Sequence, residues 1–287
     1  MKTGFIGMGT LGRVMAERLI SEGASLIVWN RTLEKTRGLK ATTAETPASL
    51  ITSSEIVFLN LFDSVAVREV LTGKNGLLAG DCTNKIIIDT TTNHYDAVPA
   101  FYEACQNAGA AYLEAPVLGS VVPASKGALT ILVSGQEDAY LKARPYLEKL
   151  GQHIFFLEKP TLVTKMKLVN NLLLGTFMTS LAEAVVLGEK IGLERGKVLE
   201  ILAVGAGNSG ILNAKKQKLL DEDFSPHFAA ATIYKDLNCL EDLARSLKHP
   251  LVTGTAAREI FALTTENKTE HLDFSVVYKI LKAGVRR

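Results

Sequence analysis

The sequence predicts an α/β domain with a mainly parallel sheet, joined by one long helix to an all-α C-terminal domain. Two features carry that expectation. Strand-like runs at 2–6, 25–29, 56–61, 86–89, 111–114 and 129–134 alternate with helical periodicity, as in "LGRVMAERLISEG" and "YDAVPAFYEACQNAG". Alternation of this kind is built from right-handed crossover units, which gather the C-terminal ends of the strands on one edge. Beyond Pro160 the strand signal stops. Helical runs follow at about 162–190, 194–205, 210–221, 227–247, 252–266 and 274–283, punctuated by glycines and prolines. The expected division is 1–160 and 161–287.

Composition narrows the partners. The 287 residues are 47% hydrophobic and 22% charged, with a net charge of +2. That length suits one large or two ordinary domains, with a sizeable core. The charge offers no broad basic field for nucleic acid. Cys82, Cys105 and Cys239 are odd in number and far apart, which fits neither a disulfide framework nor a zinc site. They read as free thiols in a reducing cytoplasm, and no metal centre is expected. The start, "MKTGFIGMGT", lacks the cleavage pattern of a signal peptide. The most apolar stretch, "LVTKMKLVNNLLLGTFMTSLAEAVVLG", is broken by lysines, asparagines and a glutamate, so it reads as a buried helix rather than a membrane span.

The first strand runs into "GFIGMGTLG", which contains Gly7-x-Gly9-x-x-Gly12 and opens a helix. In this context Gly7 permits the tight turn, Gly9 lets a pyrophosphate approach the backbone, and Gly12 lets helix and strand pack closely. The helix N-terminus offers N–H groups and a favourable dipole to phosphates. Met8, Thr10 and Leu11 complete a candidate dinucleotide loop. The second strand ends in Asn30, Arg31 and Thr32, where an NAD site would place a carboxylate. With no carboxylate to repel a 2′-phosphate, and with Arg31 able to pair with one, NADP is the expected cofactor. Further strand ends supply "LNLFDS", with Leu61 and Phe62, and "DTTTNH", with Thr91 and Thr92. The threonines have an alternative use as turn residues.

The long helix opens with "KMKLVNNLLLG". Lys167 and Asn171, four apart, share a face. Asn170 and Asn171 are costly in so apolar a helix unless they find partners. A lysine held beside amides is a candidate general acid toward a carbonyl oxygen. The alternative is a lysine that snorkels to water. Lys235-Asp236, in "HFAAATIYKDLNCLEDLA", reads on its own as a surface ion pair of little worth.

Together these segments resemble the β-hydroxyacid dehydrogenases, which include 3-hydroxyisobutyrate dehydrogenase and the glyoxylate/succinic semialdehyde reductases. The resemblance spans nearly the whole chain. It rests on "GFIGMGTLG", on "DTTT", on "APVLGS" where the family has Ala-Pro-Val-Ser-Gly, on "KLVNN" and on "KDL". It implies a Rossmann domain, a long interdomain helix, an active site between the domains, and a homodimer or homotetramer. It also implies that Lys167 is catalytic and Asn171 orients it or the substrate. Thr92 and Lys235 would lie at the cofactor, and Phe228 and Asp236 would close the pocket. Leu118, Gly119 and Ser120 would face the substrate. "NRT" resembles the NADP-using branches, and "GSVVPASKG" the glyoxylate/succinic semialdehyde reductase branch. The expected activity is NADPH-dependent reduction of a small aldehyde or 2-oxo acid.

Three segments differ from the family pattern. Leu118 stands where many members have a serine that helps hold a carboxylate, so a weaker grip on short carboxylates is expected. "NHYD" replaces a proline, and "TLVTK" replaces a Gly-x-Gly. Related activities fit less well. Imine reductases generally lack the lysine, and 6-phosphogluconate dehydrogenases carry Lys-x-x-His-Asn in place of "KLVNN". A cofactor-binding scaffold or sensor without turnover would be expected to lose the lysine that this chain keeps.

Overall fold

Residues 2–284 are described by the structure, a computed structural model. The chain divides into two compact units, Met1–Lys167 and Leu168–Arg287.

The first unit is built on six strands: β1 (Thr3–Ile6), β2 (Leu26–Trp29), β3 (Thr42–Thr43), β4 (Ile56–Leu59), β5 (Ile86–Asp89) and β6 (Ala111–Glu114). They pair in the order β3-β2-β1-β4-β5-β6, every pair parallel. Helices α1 (Thr10–Ser21), α2 (Pro47–Thr52), α3 (Ser64–Thr72) and α4 (Val98–Asn107) connect them. Strands β1, β4 and β5 are buried from end to end, which explains why apolar residues dominate them: both faces of the sheet are covered. One apolar layer gathers Phe5, Phe58, Met15 and Leu19, and the other gathers Ile6, Val57, Leu59 and Val67. Strand order reverses on either side of β1, so a crevice opens beyond the C-terminal ends of β1 and β4, where dinucleotides bind in sheets of this kind.

The run at 129–134 does not extend this sheet. It forms β8 (Leu129–Val133) in a second, three-stranded sheet, between β7 (Val117–Leu118) and β9 (Gly151–Phe156). β7 pairs with it antiparallel and β9 pairs with it parallel. The link from β6 to β8 holds only one short helix, α5 (Val121–Ser125). That is too little for the usual parallel crossover, so the chain turns back on itself instead. Helix α6 (Glu137–Leu150) supplies a full crossover to β9.

Helix α7 (Leu162–Lys190) begins in the first unit and continues into the second. The second unit adds α8 (Arg195–Val204), α9 (Gly210–Asp221), α10 (Ala230–Ser246), α11 (Val252–Glu266), a 3-10 turn (Phe274–Val276) and α12 (Val277–Ala283). Within it α7 lies close to its neighbours. A Cβ on Gly175 would sit 3.1 Å from Leu237, and a Cβ on Gly254 would sit 2.7 Å from Leu172. Among the described residues α7 alone is long and apolar enough to cross a membrane, and half of its most apolar window is buried. The rest includes an exposed stripe of Leu162, Met166, Val169, Leu173 and Phe177.

Candidate active site

The glycine-rich turn is shaped by backbone contacts. Gly7 has φ +102°, donates its N–H to the Trp29 carbonyl at 3.1 Å, and would put a Cβ 2.1 Å from the Asn60 carbonyl oxygen. A Cβ on Gly12 would lie 2.0 Å from the Gly7 carbonyl oxygen. Neither position accepts a side chain. Gly9 differs: its backbone is extended and nothing lies within 4 Å of where a Cβ would be. It starts α1 with no side-chain cap. An open approach to uncapped helix N–H groups fits a diphosphate, with Thr10 exposed and Leu11 half-buried beside it.

Asn30 serves this turn. Its Oδ1 accepts from the Met8 N–H at 2.9 Å and its Nδ2 donates to the Thr32 carbonyl at 2.8 Å. The amide thus clasps the glycine turn to the loop after β2. Arg31 and Thr32 are exposed there. Arg13 donates to the carbonyls of Lys35 and Arg37, which fixes the backbone just downstream.

The next two strand ends are knitted together. Asn60 Nδ2 donates to the Thr90 hydroxyl, which donates to the Leu59 carbonyl, and the Leu61 N–H donates to the Thr91 hydroxyl. Thr90 and Thr91 are buried and do structural work, whereas Thr92 is half-buried and Phe62 is exposed. Beneath them sits Asp89, fully buried. It accepts from the Thr91 N–H, Asn93 Nδ2 and the Tyr112 hydroxyl at 2.9, 2.7 and 2.6 Å. Burial pushes its carboxyl above the usual range, against the pull of those donors.

The segment 114–127 has more order than its prolines and glycines suggest. Leu118 lies in β7, opposite Thr130 and half-buried. Gly119 has φ +122°, a conformation that favours glycine. Ser120 is the residue before α5, and its carbonyl accepts from the Ala124 N–H. At the head of the segment, Glu114 is 1% exposed. It accepts from the Thr161 N–H at 2.7 Å, from the Ser134 hydroxyl at 2.9 Å and from the Thr164 hydroxyl. Sequence reading passed over this residue.

Lys167 follows on α7 and is 6% exposed, so it does not snorkel to water. Asn171, one turn further, is fully buried. Its Oδ1 accepts from Asn170 Nδ2 at 3.1 Å and its Nδ2 donates to Asp236 Oδ2 at 2.6 Å. Asp236 Oδ1 pairs with Lys235 Nζ at 2.7 Å. Asp236 has no exposure, so the surface-pair reading of Lys235-Asp236 is corrected. α10 turns its aspartate inward to meet an amide that the apolar α7 must satisfy. Phe228 packs edge-on against Phe274, ring centroids 5.6 Å apart. The N–H groups of His227 and Phe228 both donate to Asp273, which also pairs with Lys215 at 2.9 Å.

Comparison with known proteins agrees with this fold. The family profile for the NAD binding domain of 6-phosphogluconate dehydrogenase matches residues 2–158. The profile described as NAD-binding of NADP-dependent 3-hydroxyisobutyrate dehydrogenase matches residues 163–281. Glyoxylate/succinic semialdehyde reductase 2, chloroplastic, of Arabidopsis thaliana is 32% identical over 99% of this chain and 80% of its own. Cytokine-like nuclear factor N-PAC of Mus musculus is 31% identical over 97% of this chain, which spans 50% of that protein. A crystal structure of 3-hydroxyisobutyrate dehydrogenase from Salmonella typhimurium superposes with a TM-score of 0.89 at 23% identity, covering 98% of this chain and 99% of the other. The chain has the fold of that dehydrogenase, binds NAD(P), and belongs to the β-hydroxyacid dehydrogenase family of oxidoreductases.

Proposed function

We propose that the protein is an NADPH-dependent reductase of a small aldehyde or 2-oxo acid, with Lys167 as the general acid. One observation carries this reading. A buried lysine lies one helical turn from Asn171, whose amide is pinned on both sides. A lysine held out of solvent four residues from a fixed amide is placed to hand a proton to a bound carbonyl rather than to reach water. When bound, the nicotinamide supplies a hydride to the carbonyl carbon. Lys167 supplies the proton to the carbonyl oxygen, and the C=O becomes a C–OH. Asn171 orients Lys167, and Asp236 keeps Asn171 in place.

Arg31, exposed after a strand end that lacks a carboxylate, is the proposed partner of the 2′-phosphate. The NADP-dependent description of the second family profile supports that choice. The backbone at Gly119 and Ser120 is the proposed grip on the polar tail of the substrate. Leu118 in β7 makes that grip less polar than a serine would. Glyoxylate and succinic semialdehyde lead the substrate candidates because of the Arabidopsis relative. The exposed stripe on α7 supports a homo-oligomer in which a second copy covers it.

The test is a panel of glyoxylate, succinic semialdehyde, tartronate semialdehyde, methylglyoxal and a cyclic imine, each with NADPH and NADH. The expected result is turnover of a linear aldehyde, with NADPH favoured about tenfold or more, the worth of one charge-assisted hydrogen bond. Binding of NADPH without oxidation by any carbonyl would favour the scaffold reading instead, for which the match to N-PAC is the supporting observation.

A further inference from the structure

We infer that Glu114 is a positioning residue that holds the first turn of α7, and through it Lys167, in register with the substrate loop. The inference rests on the function proposed above. Glu114 ends β6, the outermost strand of the main sheet on that side, and the loop 115–120 departs from it. Its carboxylate reaches 47 residues along the chain to the Thr161 N–H, at 2.7 Å, and to the Thr164 hydroxyl. In a capping box the Thr161 N–H would be accepted by the side chain three residues on, here Thr164, whose hydroxyl turns to Glu114 instead. Thr161 itself stands at φ +68°, outside the extended conformation that N-caps usually adopt. A carboxylate brought in from the sheet takes that place, and the positive end of the helix dipole favours its charge.

The same group also fixes the opposite side. Glu114 Oε1 accepts from the Ser134 hydroxyl, and the backbones of Glu114 and Ser134 exchange two hydrogen bonds of 3.1 and 3.0 Å. Tyr102 donates to the Ser134 carbonyl at 3.0 Å. One buried carboxylate therefore joins the start of the substrate loop, the end of β8 and the start of the catalytic helix. Thr164 and Lys167 are three apart on that helix, so the side chain that Glu114 grips and the lysine stand on neighbouring positions of one face. A slip of α7 along its axis would carry Lys167 away from a substrate held by the loop. Displacements of about 1 Å in such geometry cost about a hundredfold in rate.

The experiment compares Glu114→Ala, Glu114→Gln and wild type in the full chain. Hydrogen exchange is followed at the amides of 162–167, alongside kcat, KM and NADPH affinity. For Glu114→Ala the expected result is exchange about tenfold faster in this segment. kcat falls about a hundredfold, with KM and NADPH affinity within about threefold. Glu114→Gln keeps the shape and one acceptor, so it should fold even if the alanine variant does not, and it should fall between the two. A loss confined to thermal stability, with kcat retained in a folded variant, would overturn the positioning role. Unchanged exchange at 162–167 would overturn the clamp itself. If wild type turns over no carbonyl, the proposed function fails, and the exchange comparison alone still decides the clamp.

Discussion

Asp89 in the first unit and Asp273 in the second are sealed from solvent alike, at 1% and 0% exposure, yet their surroundings treat them in opposite ways. Asp89 meets only neutral donors, and burial keeps its carboxyl above the usual range. Asp273 faces the same burial, but Lys215, the Ser275 hydroxyl and backbone N–H groups outweigh it and hold the carboxyl below the usual range. Loss of solvent contact alone therefore does not fix the behaviour of an acid; the charge of its partners also counts. The two units also differ in how they present polar groups. The first unit presents backbone at its glycine turn, with open space at Gly9 and an α1 start that no side chain caps. The second relies on side-chain partners, as Asn170 and Asp236 bind the buried Asn171 amide and Lys235 pairs with Asp236.

Removing each aspartate charge sharpens this comparison. Asp273→Asn leaves Lys215 buried without its counter-ion, and should cost about 3 kcal/mol of stability at pH 7, read by urea denaturation. Asp89→Asn loses no ion pair and should cost about 1 kcal/mol, since the Tyr112 hydroxyl can turn to accept from the new amide. The pH dependences run in opposite senses. The contribution of Asp273, whose folded pKa is depressed, is present above the unfolded carboxylate value of about 4 and fades as pH falls through the folded value. That of Asp89, whose folded pKa is raised, is complete below about 4 and is lost as pH rises through the folded value. Parallel stability-against-pH profiles for the two variants would break the comparison.

A smaller pair of effects tests the backbone site. Gly12→Ala should cost about 2 kcal/mol, because its Cβ would meet the Gly7 carbonyl oxygen, and should weaken NADPH binding as the turn deforms. Gly9→Ala should leave stability within about 0.5 kcal/mol and lower NADPH affinity about tenfold, since its Cβ enters only the space meant for phosphate. Calorimetric titration beside thermal melts separates the two. Equal effects on both readouts would show that the open approach at Gly9 is not a ligand approach.

Legibility in the sequence follows the same division. β1, β4 and β5 stand out because a strand covered on both faces is mostly apolar, and the glycine spacing marks the turn. The helices from 162 onward read off closely because glycines and prolines bound them. Three strands were missed for physical reasons. β3 and β7 are two residues each, with β3 exposed, and β9 carries exposed Gln152, His153 and Phe155 at the edge of the small sheet. The candidate site residues stood out where one residue type suggests one chemistry, as with Gly7, Gly9, Gly12 and Lys167. They did not stand out where partners lie far apart in the chain. Nothing near Glu114 announces Thr161, and nothing near Asn171 announces Asp236. The available signal was an acid closing an apolar strand, in "IIID" and "YLE", which only folding turns into a contact list.

The proposed chemistry stands or falls with Lys167. Purified Lys167→Ala protein, saturated with NADPH and mixed with the best aldehyde of the panel, should bind NADPH within about threefold of wild type while oxidising it about a thousandfold more slowly. Oxidation at a rate like that of wild type, with a comparable KM for the aldehyde, would contradict the assignment of Lys167 as the proton donor.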